Sequence, residues 1–269
     1  MRILVTGAAG MVGSQLDFGI KTDLPELDIL SIESIEKAVG YYCPDVILHL
    51  AANTDMEDCE KNPQNAYQLN TFGTFNLVKT CKARSLGMVY LSSGTVFDGG
   101  KDVYSELDAP NPLNVYARTK LAGEWIVRNI LEKHLIVRTG WLFGGGPKRD
   151  KKFVGYCAKR ILAGQPVTAV ADRFGSPTYI PDLLAAVHNA IFSGKVGIYH
   201  IVNAGPASYF DIAKYIKKIS GTTANVVAGN SSDSQLNIVK RARSEVLVSN
   251  RIFLRSWQEA LEEYIKSAF

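Results

Sequence analysis

A short β-rich run, Ile3-Leu4-Val5-Thr6, passes directly into Gly7-Ala8-Ala9-Gly10-Met11-Val12-Gly13. Few folds place three glycines at that spacing against a strand. The glycines permit a tight turn, let a pyrophosphate approach the backbone, and let a following helix pack closely on a sheet. A helix pattern is read after Gly13, and the free N–H groups at its start would favour an anion. Further on, apolar β-rich runs alternate with amphipathic ones, the pattern of a parallel sheet under covering helices. Strands are predicted at Ile3–Thr6, Val46–Leu50, Met88–Ser92, Leu135–Thr139, Val167–Val170 and Ile198–Val202. Helices are predicted at Ile32–Tyr42, Pro63–Arg84, Val115–Glu132, Phe153–Ala163, Pro181–Phe192, Tyr209–Ile219 and Ser256–Lys266. The run Asp45-Val46-Ile47-Leu48-His49-Leu50 fits a strand buried on both faces.

The fold class is therefore α/β, a Rossmann-like doubly wound parallel sheet with a smaller C-terminal lobe. The glycine-rich Gly144-Gly145-Gly146-Pro147 marks the change of character. Residues 1–145 are expected to form the dinucleotide-binding domain. Residues 146–269 are expected to form mainly a substrate-binding lobe, with some segments returning to the main sheet. The polar stretch Ala224–Val246 is expected to be a loop.

Composition narrows the function classes. A chain of 269 residues with 46% hydrophobic residues can bury a large core without a disulfide or metal staple. A net charge of +4 is too mild to argue for nucleic acid. The basic runs at Lys148–Lys152 and Lys240–Arg243 are read first as solvated. Cys43, Cys59, Cys81 and Cys157 form no C-x-x-C pair, which suits reduced thiols in a cytoplasm. The four histidines are scattered in apolar contexts and are read as structural. The first strand leaves no room for a signal peptide, and no apolar run approaches a membrane span. A cytoplasmic location is expected, with no membrane and no nucleic-acid partner.

Tyr116-Ala117-Arg118-Thr119-Lys120 carries the chemistry. On a helix, positions i and i+4 share a face, which puts the Lys120 ammonium near the Tyr116 phenol. A free phenol ionises near pH ~10, and a neighbouring cation lowers that value. Such a pair suits proton transfer to or from an alcohol oxygen while a nicotinamide moves a hydride. A ribose-binding carboxylate is expected roughly 20 residues past the glycines. The segment is compressed, leaving Asp23 and Asp28, with Asp28 the better placed, just before a helix. The stretch lacks arginine and offers only Lys21 to meet a 2′-phosphate, which leans toward NADH, although Lys21 alone could reverse it and NADPH stays open.

With these residues in view, the chain resembles the extended short-chain dehydrogenase/reductases, and most closely the dTDP-4-dehydrorhamnose reductase family. The matching stretches run nearly end to end: Gly7–Gly13, His49–Thr54, Leu91–Ser93, Val96–Gly99, Pro112–Tyr116, Lys120–Glu124, Arg138–Trp141, Phe174–Thr178 and Arg241–Ser244. The resemblance implies reduction of the C4 ketone of a nucleotide-linked 6-deoxy-4-keto sugar by NADH or NADPH. In it Tyr116 donates the proton, Lys120 holds the nicotinamide ribose, and Ser93 hydrogen-bonds the carbonyl oxygen. Gly10, Met11, Val12, Asp28, Ile29, Ala52, Asn53 and Thr54 match cofactor-contacting positions, beside Gly7, Gly13, Tyr116 and Lys120. Trp141 matches an aromatic that packs on the sugar; a core tryptophan at a strand end is the alternative. Arg243 falls in the basic segment near the sugar nucleotide. Asn70 matches an asparagine that organises a relay water, or is a helix-surface residue. A homodimer is compatible with the family.

Departures from the family pattern bear on substrate. After Ser93 the family usually carries Asp-Tyr at the substrate, where this chain has Gly94-Thr95. Gln15 replaces a glutamate that helps bind magnesium in some members, so no metal is expected. Two other readings stay open. One is a different nucleotide-sugar epimerase, dehydratase or reductase of the superfamily. The other is a non-catalytic NAD(P)-binding regulatory subunit, as in the methionine adenosyltransferase β-subunit, which resembles the same family.

Overall fold

The computed structural model describes residues 1–233 and 239–269. The first half contains β1 (Ile3–Thr6), β2 (Ile20–Lys21), α1 (Ile32–Tyr42), β3 (Val46–His49), α2 (Met56–Lys61), α3 (Pro63–Tyr67), α4 (Gly73–Ala83), β4 (Gly87–Ser93), α5 (Val115–Ile130) and β5 (His134–Thr139). Then come β6 (Leu142–Phe143), α6 (Gly146–Arg149), α7 (Phe153–Leu162), β7 (Val167–Val170), β8 (Phe174–Gly175), β9 (Thr178–Tyr179) and α8 (Ile180–Phe192). The chain closes with β10 (Gly197–His200), β11 (Ala207–Ser208), α9 (Tyr209–Ser220), β12 (Val226–Gly229) and α10 (Trp257–Ala268).

Six strands form one parallel sheet in the order β10-β5-β4-β3-β1-β2. Side chains alternate across it, as the two-residue period of a strand requires. Leu4, Ile47, Met88, Tyr90 and Ile136 face a layer built from α1, α4 and α5. Val5, Leu48, Val89, Leu135 and Val137 face α8 through Leu183, Val187 and Ile191. Strand order reverses between β1 and β3, the switch point where open α/β sheets bind ligands. A second core gathers α7, α9 and α10 around Val167, Ile212, Trp257 and Tyr264.

Several expectations need correction. No helix follows the glycine turn; there is one 3₁₀ turn, Gly13–Gln15, and the chain enters β2 at Ile20. Residues 14–19 are too few for a packed helix, because Leu4 already pairs with Ile20 in the sheet. Leu16 fills the vacated face and Phe18 meets His188 edge-on at 4.8 Å. The predicted helix Pro63–Arg84 is broken by a π-type turn, Gln68–Phe72, and a further helix, α2, precedes it. The predicted strand Val167–Val170 lies outside the main sheet and pairs with β12, which itself sits within the expected loop Ala224–Val246. Residues 234–238 of that stretch lie outside the described residues.

Candidate active site

A cavity of about 740 Å³ opens at the C-terminal ends of β1, β3, β4 and β5 and runs between the sheet and the second core. The glycine turn forms one wall. Gly7 has φ +71°, and a Cβ there would lie 2.6 Å from Ala51 Cα. A Cβ on Gly13 would lie 2.6 Å from the Gly7 carbonyl oxygen. Any side chain would push the turn off the sheet. The backbone N–H groups of Met11 and Val12 have no protein acceptor among the described residues, and both residues line the cavity. Thr139 Oγ1 is buried on the same cavity, also without a partner among the described residues. Free donors on a turn that admits no side chain fit a dinucleotide phosphate. With no helix behind the turn, helix-dipole support is absent. Asp23 Oδ2 instead accepts the Ala9 N–H at 2.7 Å, tying the turn to the chain just past β2.

The proposed chemical group lines the same cavity. Asn114 caps α5 by accepting from Ala117 N–H at 2.9 Å, and the helix then presents Tyr116 and Lys120 on one buried face. Burial pushes the Tyr116 phenol up to about 12, with Ser93 pulling against it. Burial also pushes the Lys120 amine down to about 7, opposed by Glu124, and its Nζ lies 4.0 Å from the Tyr90 ring centroid. The expected downward shift of the phenol is thus reversed in the free protein. A phenol held protonated suits a proton donor.

Ser93 ends β4 and lines the cavity. Its Oγ accepts from Thr95 N–H at 3.2 Å and from the Thr95 hydroxyl at 2.9 Å. With its lone pairs engaged, the Ser93 hydroxyl hydrogen is left to donate to the Tyr116 oxygen or to a carbonyl oxygen in the cavity. Asn70 sits in the π-type turn and is buried, not on a helix surface. Its Oδ1 accepts Asn53 N–H at 2.8 Å, and its Nδ2 donates to Asn53 O and to Thr119 Oγ1, each at 3.0 Å. The turn therefore locks the loop after β3 to α5.

Trp141 lines the cavity with backbone φ +31°, a strained value for a bulky residue. Its indole stacks on Tyr209 at 4.0 Å and 5°. Arg241 and Arg173 line the cavity too, with Lys152 from the end of the basic run Lys148–Lys152. Arg241 also pairs with Glu57 at 2.6 Å.

Of the residues read from sequence, Gly7, Gly10, Met11, Val12, Gly13, Ala52, Thr54, Ser93, Tyr116, Lys120 and Trp141 meet around this one cavity. Others do not reach it. Ile29 is packed in the core, and the Asp28 carboxylate accepts Leu30 N–H at 2.9 Å. The Asn53 amide donates to Asp58 at 2.6 Å. Gly94 is buried under residues 245–247. Arg243 is 60% exposed and pairs with Asp102, so Arg241 is the arginine of that segment that faces inward. Thr95, named from sequence with Gly94, does line the cavity, whereas sequence reasoning missed Arg173, Tyr209 and Glu245, which reach the site from distant segments.

The family model described as RmlD substrate binding domain matches residues 1–269. A dTDP-4-dehydrorhamnose reductase of Mycolicibacterium smegmatis is 34% identical over 98% of this chain and 85% of its own length. The structure of dTDP-4-dehydrorhamnose reductase from Yersinia enterocolitica superposes with a TM-score of 0.92 at 36% identity, covering 100% of this chain and 99% of that one. The Bacillus anthracis enzyme in complex with NADP gives a TM-score of 0.92 at 30% identity, over 98% of each chain. The turn, the Tyr116–Lys120 helix face and the end-to-end match together make this chain a member of the dTDP-4-dehydrorhamnose reductase family.

Proposed function

We propose that this protein reduces the C4 ketone of a nucleotide-linked 6-deoxy-4-keto sugar, as in dTDP-L-rhamnose synthesis. The observation that carries the reading is the convergence of Ser93, Tyr116 and Lys120 on a cavity that Arg173, Arg241 and Lys152 also line. When bound, NADH or NADPH supplies the hydride. The glycine turn would hold its pyrophosphate through the Met11 and Val12 amides, with Ala52, Thr54, Tyr116 and Lys120 along its length. Ser93 donates to the carbonyl oxygen and polarises it. Tyr116 delivers its proton to that oxygen as negative charge develops, a general-acid step. Once Tyr116 gives up its proton, protonated Lys120 stabilises the phenolate. Arg173, Arg241 and Lys152 balance the diphosphate charge, and Trp141 offers the sugar a flat apolar surface.

The complete Ser93–Tyr116–Lys120 set argues against a purely regulatory role. We place the protein in a reducing compartment such as the cytoplasm, a reading supported by four free thiols. A homodimer is also proposed, to be checked by light scattering. The test of function is loss of absorbance at 340 nm with NADPH or NADH and a dTDP-4-keto-6-deoxyhexose. Substrate-dependent oxidation supports the reading. Its absence in folded, cofactor-binding protein would overturn it.

A further inference from the structure

Two carboxylates in the cavity have no part in the mechanism above, and one of them, Glu57, is already paired with Arg241. The other, Glu245, lines the cavity beside Trp141. Its backbone is fixed, since Glu245 N–H donates to Phe174 O at 2.9 Å and Ser244 bridges Phe174. A Cβ built on Gly94 would lie 3.3 Å from Glu245 O, so this segment occupies the space beside the residue that follows Ser93. The Trp141 indole N–H donates to Glu245 Oε2 at 3.4 Å. Trp141 in turn packs over Gly175, where any side chain would strike the ring. The carboxyl is thus placed by a strand bridge and an indole on the cavity that Ser93 also lines, close enough for its charge to act on Tyr116.

Chemistry limits what it can meet. A carboxylate only accepts hydrogen bonds, so it repels a ketone or ring oxygen and requires a donor on the sugar. In a 6-deoxy-4-keto hexose the carbons flanking C4 are C5, bearing a methyl group and the ring oxygen, and C3, bearing a hydroxyl. The C3 hydroxyl is the donor next to the reacting carbon. An ammonium there is disfavoured, because the Arg241 and Arg173 guanidiniums already act on this carboxyl. Burial holds the carboxyl's pKa above its usual value, although the Trp141 N–H and both guanidiniums pull against it.

We propose that Glu245 is a specificity-determining residue that accepts a hydrogen bond from the C3 hydroxyl of the substrate and sets the ring's orientation. This rests on the reductase reading above. The test compares dTDP-4-keto-6-deoxyhexose with dTDP-4-keto-3,6-dideoxyhexose, using NADPH oxidation by wild-type, Glu245→Ala and Glu245→Gln protein. Wild type should prefer the hydroxylated substrate by at least about tenfold in kcat/KM, the range for a hydrogen bond to a charged group. Glu245→Ala should bring that ratio close to one, by losing rate on the hydroxylated substrate alone. Glu245→Gln keeps shape and an acceptor, and should leave an intermediate preference of about threefold. An equal loss on both substrates would reduce Glu245 to a prop for Trp141 and overturn the proposal, as would a wild type that does not discriminate. A wild type inactive on the hydroxylated substrate would instead remove the reductase reading itself.

Discussion

Glu124 and Arg138 meet in full burial, each 2% exposed. Arg138 Nε donates to Glu124 Oε1 at 2.9 Å and its Nη2 donates to Oε2 at 2.7 Å, while Ser92 Oγ donates to Oε1 at 2.5 Å. Tyr116, Lys120 and Glu124 follow at four-residue intervals on α5, so this clamp fixes the reactive face of the helix against β4 and β5. Glu124→Ala leaves a buried guanidinium without a counter-charge and should lower unfolding stability by about 3–5 kcal/mol. The pair variant Glu124→Leu/Arg138→Met should lose much less in the same urea titration. Equal losses would show that packing, not charge, is what the site needs.

Tyr116→Phe removes the proton donor and little else. Its turnover should fall by about 10²–10⁴-fold, with cofactor affinity within roughly twofold of wild type. Absorbance at 340 nm and a fluorescence titration separate the two, and retained turnover would exclude Tyr116 as the donor.

Lys120 ionises near 7 in the folded chain against an ordinary value of 10.5, because burial opposes its charge. Between those values the unfolded chain holds the extra proton, so stability should rise as pH increases from 7 toward 10.5. The span amounts to on the order of 5 kcal/mol. Lys120→Met should flatten that part of the stability curve and raise Tm at neutral pH, while lowering activity. An unchanged curve would mean that the amine is solvated.

His49 behaves as a buried neutral ring. Thr74 gives its hydroxyl hydrogen to Asn70 O at 2.7 Å, so it accepts from His49 Nε2 at 3.0 Å, and Nδ1 accepts from Thr6 at 2.8 Å. Burial lowers the ring's pKa from 6.5 to about 3, and nearby Lys120 adds to the effect. Its contribution is intact above 6.5 and should drain away as pH falls toward 3. Urea unfolding at a series of acid pH values should show that loss in wild type, and a smaller one in His49→Gln.

Arg241 and Arg243 are two residues apart and face different surroundings. Arg241→Ala should raise the KM for the sugar nucleotide by about tenfold or more, and Arg243→Ala by less than about twofold. The reverse order would put the diphosphate on the outer arginine.

Local pattern made most of the fold legible. The strands at Ile3–Thr6, Val46, Met88 and Leu135 stood out because a parallel sheet buried on both faces needs continuous apolar runs. Tyr116, Lys120 and Ser93 were legible from motif and spacing. What stayed hidden depends on long-range packing. The π-type turn at Asn70 is set by a clasp on Asn53 and Thr119, far away in sequence. Arg241 and Arg243 look alike in sequence, and the bridge between Ser244 and Phe174, with the Asp102 pair, sorts them. The missing helix after Gly13 was foreshadowed by a compressed segment, but glycine spacing alone still read as strand, turn and helix.

The shortened link between β1 and β2 has a further consequence. β2 is two residues long, stands at the rim of the sheet and places an exposed Lys21 there. An edge strand is a template on which another chain can add, and long flat edges invite aggregation. Here the template is almost too short to read, and a cation sits on it. By shedding the helix, the chain has also clipped the sticky border of its sheet.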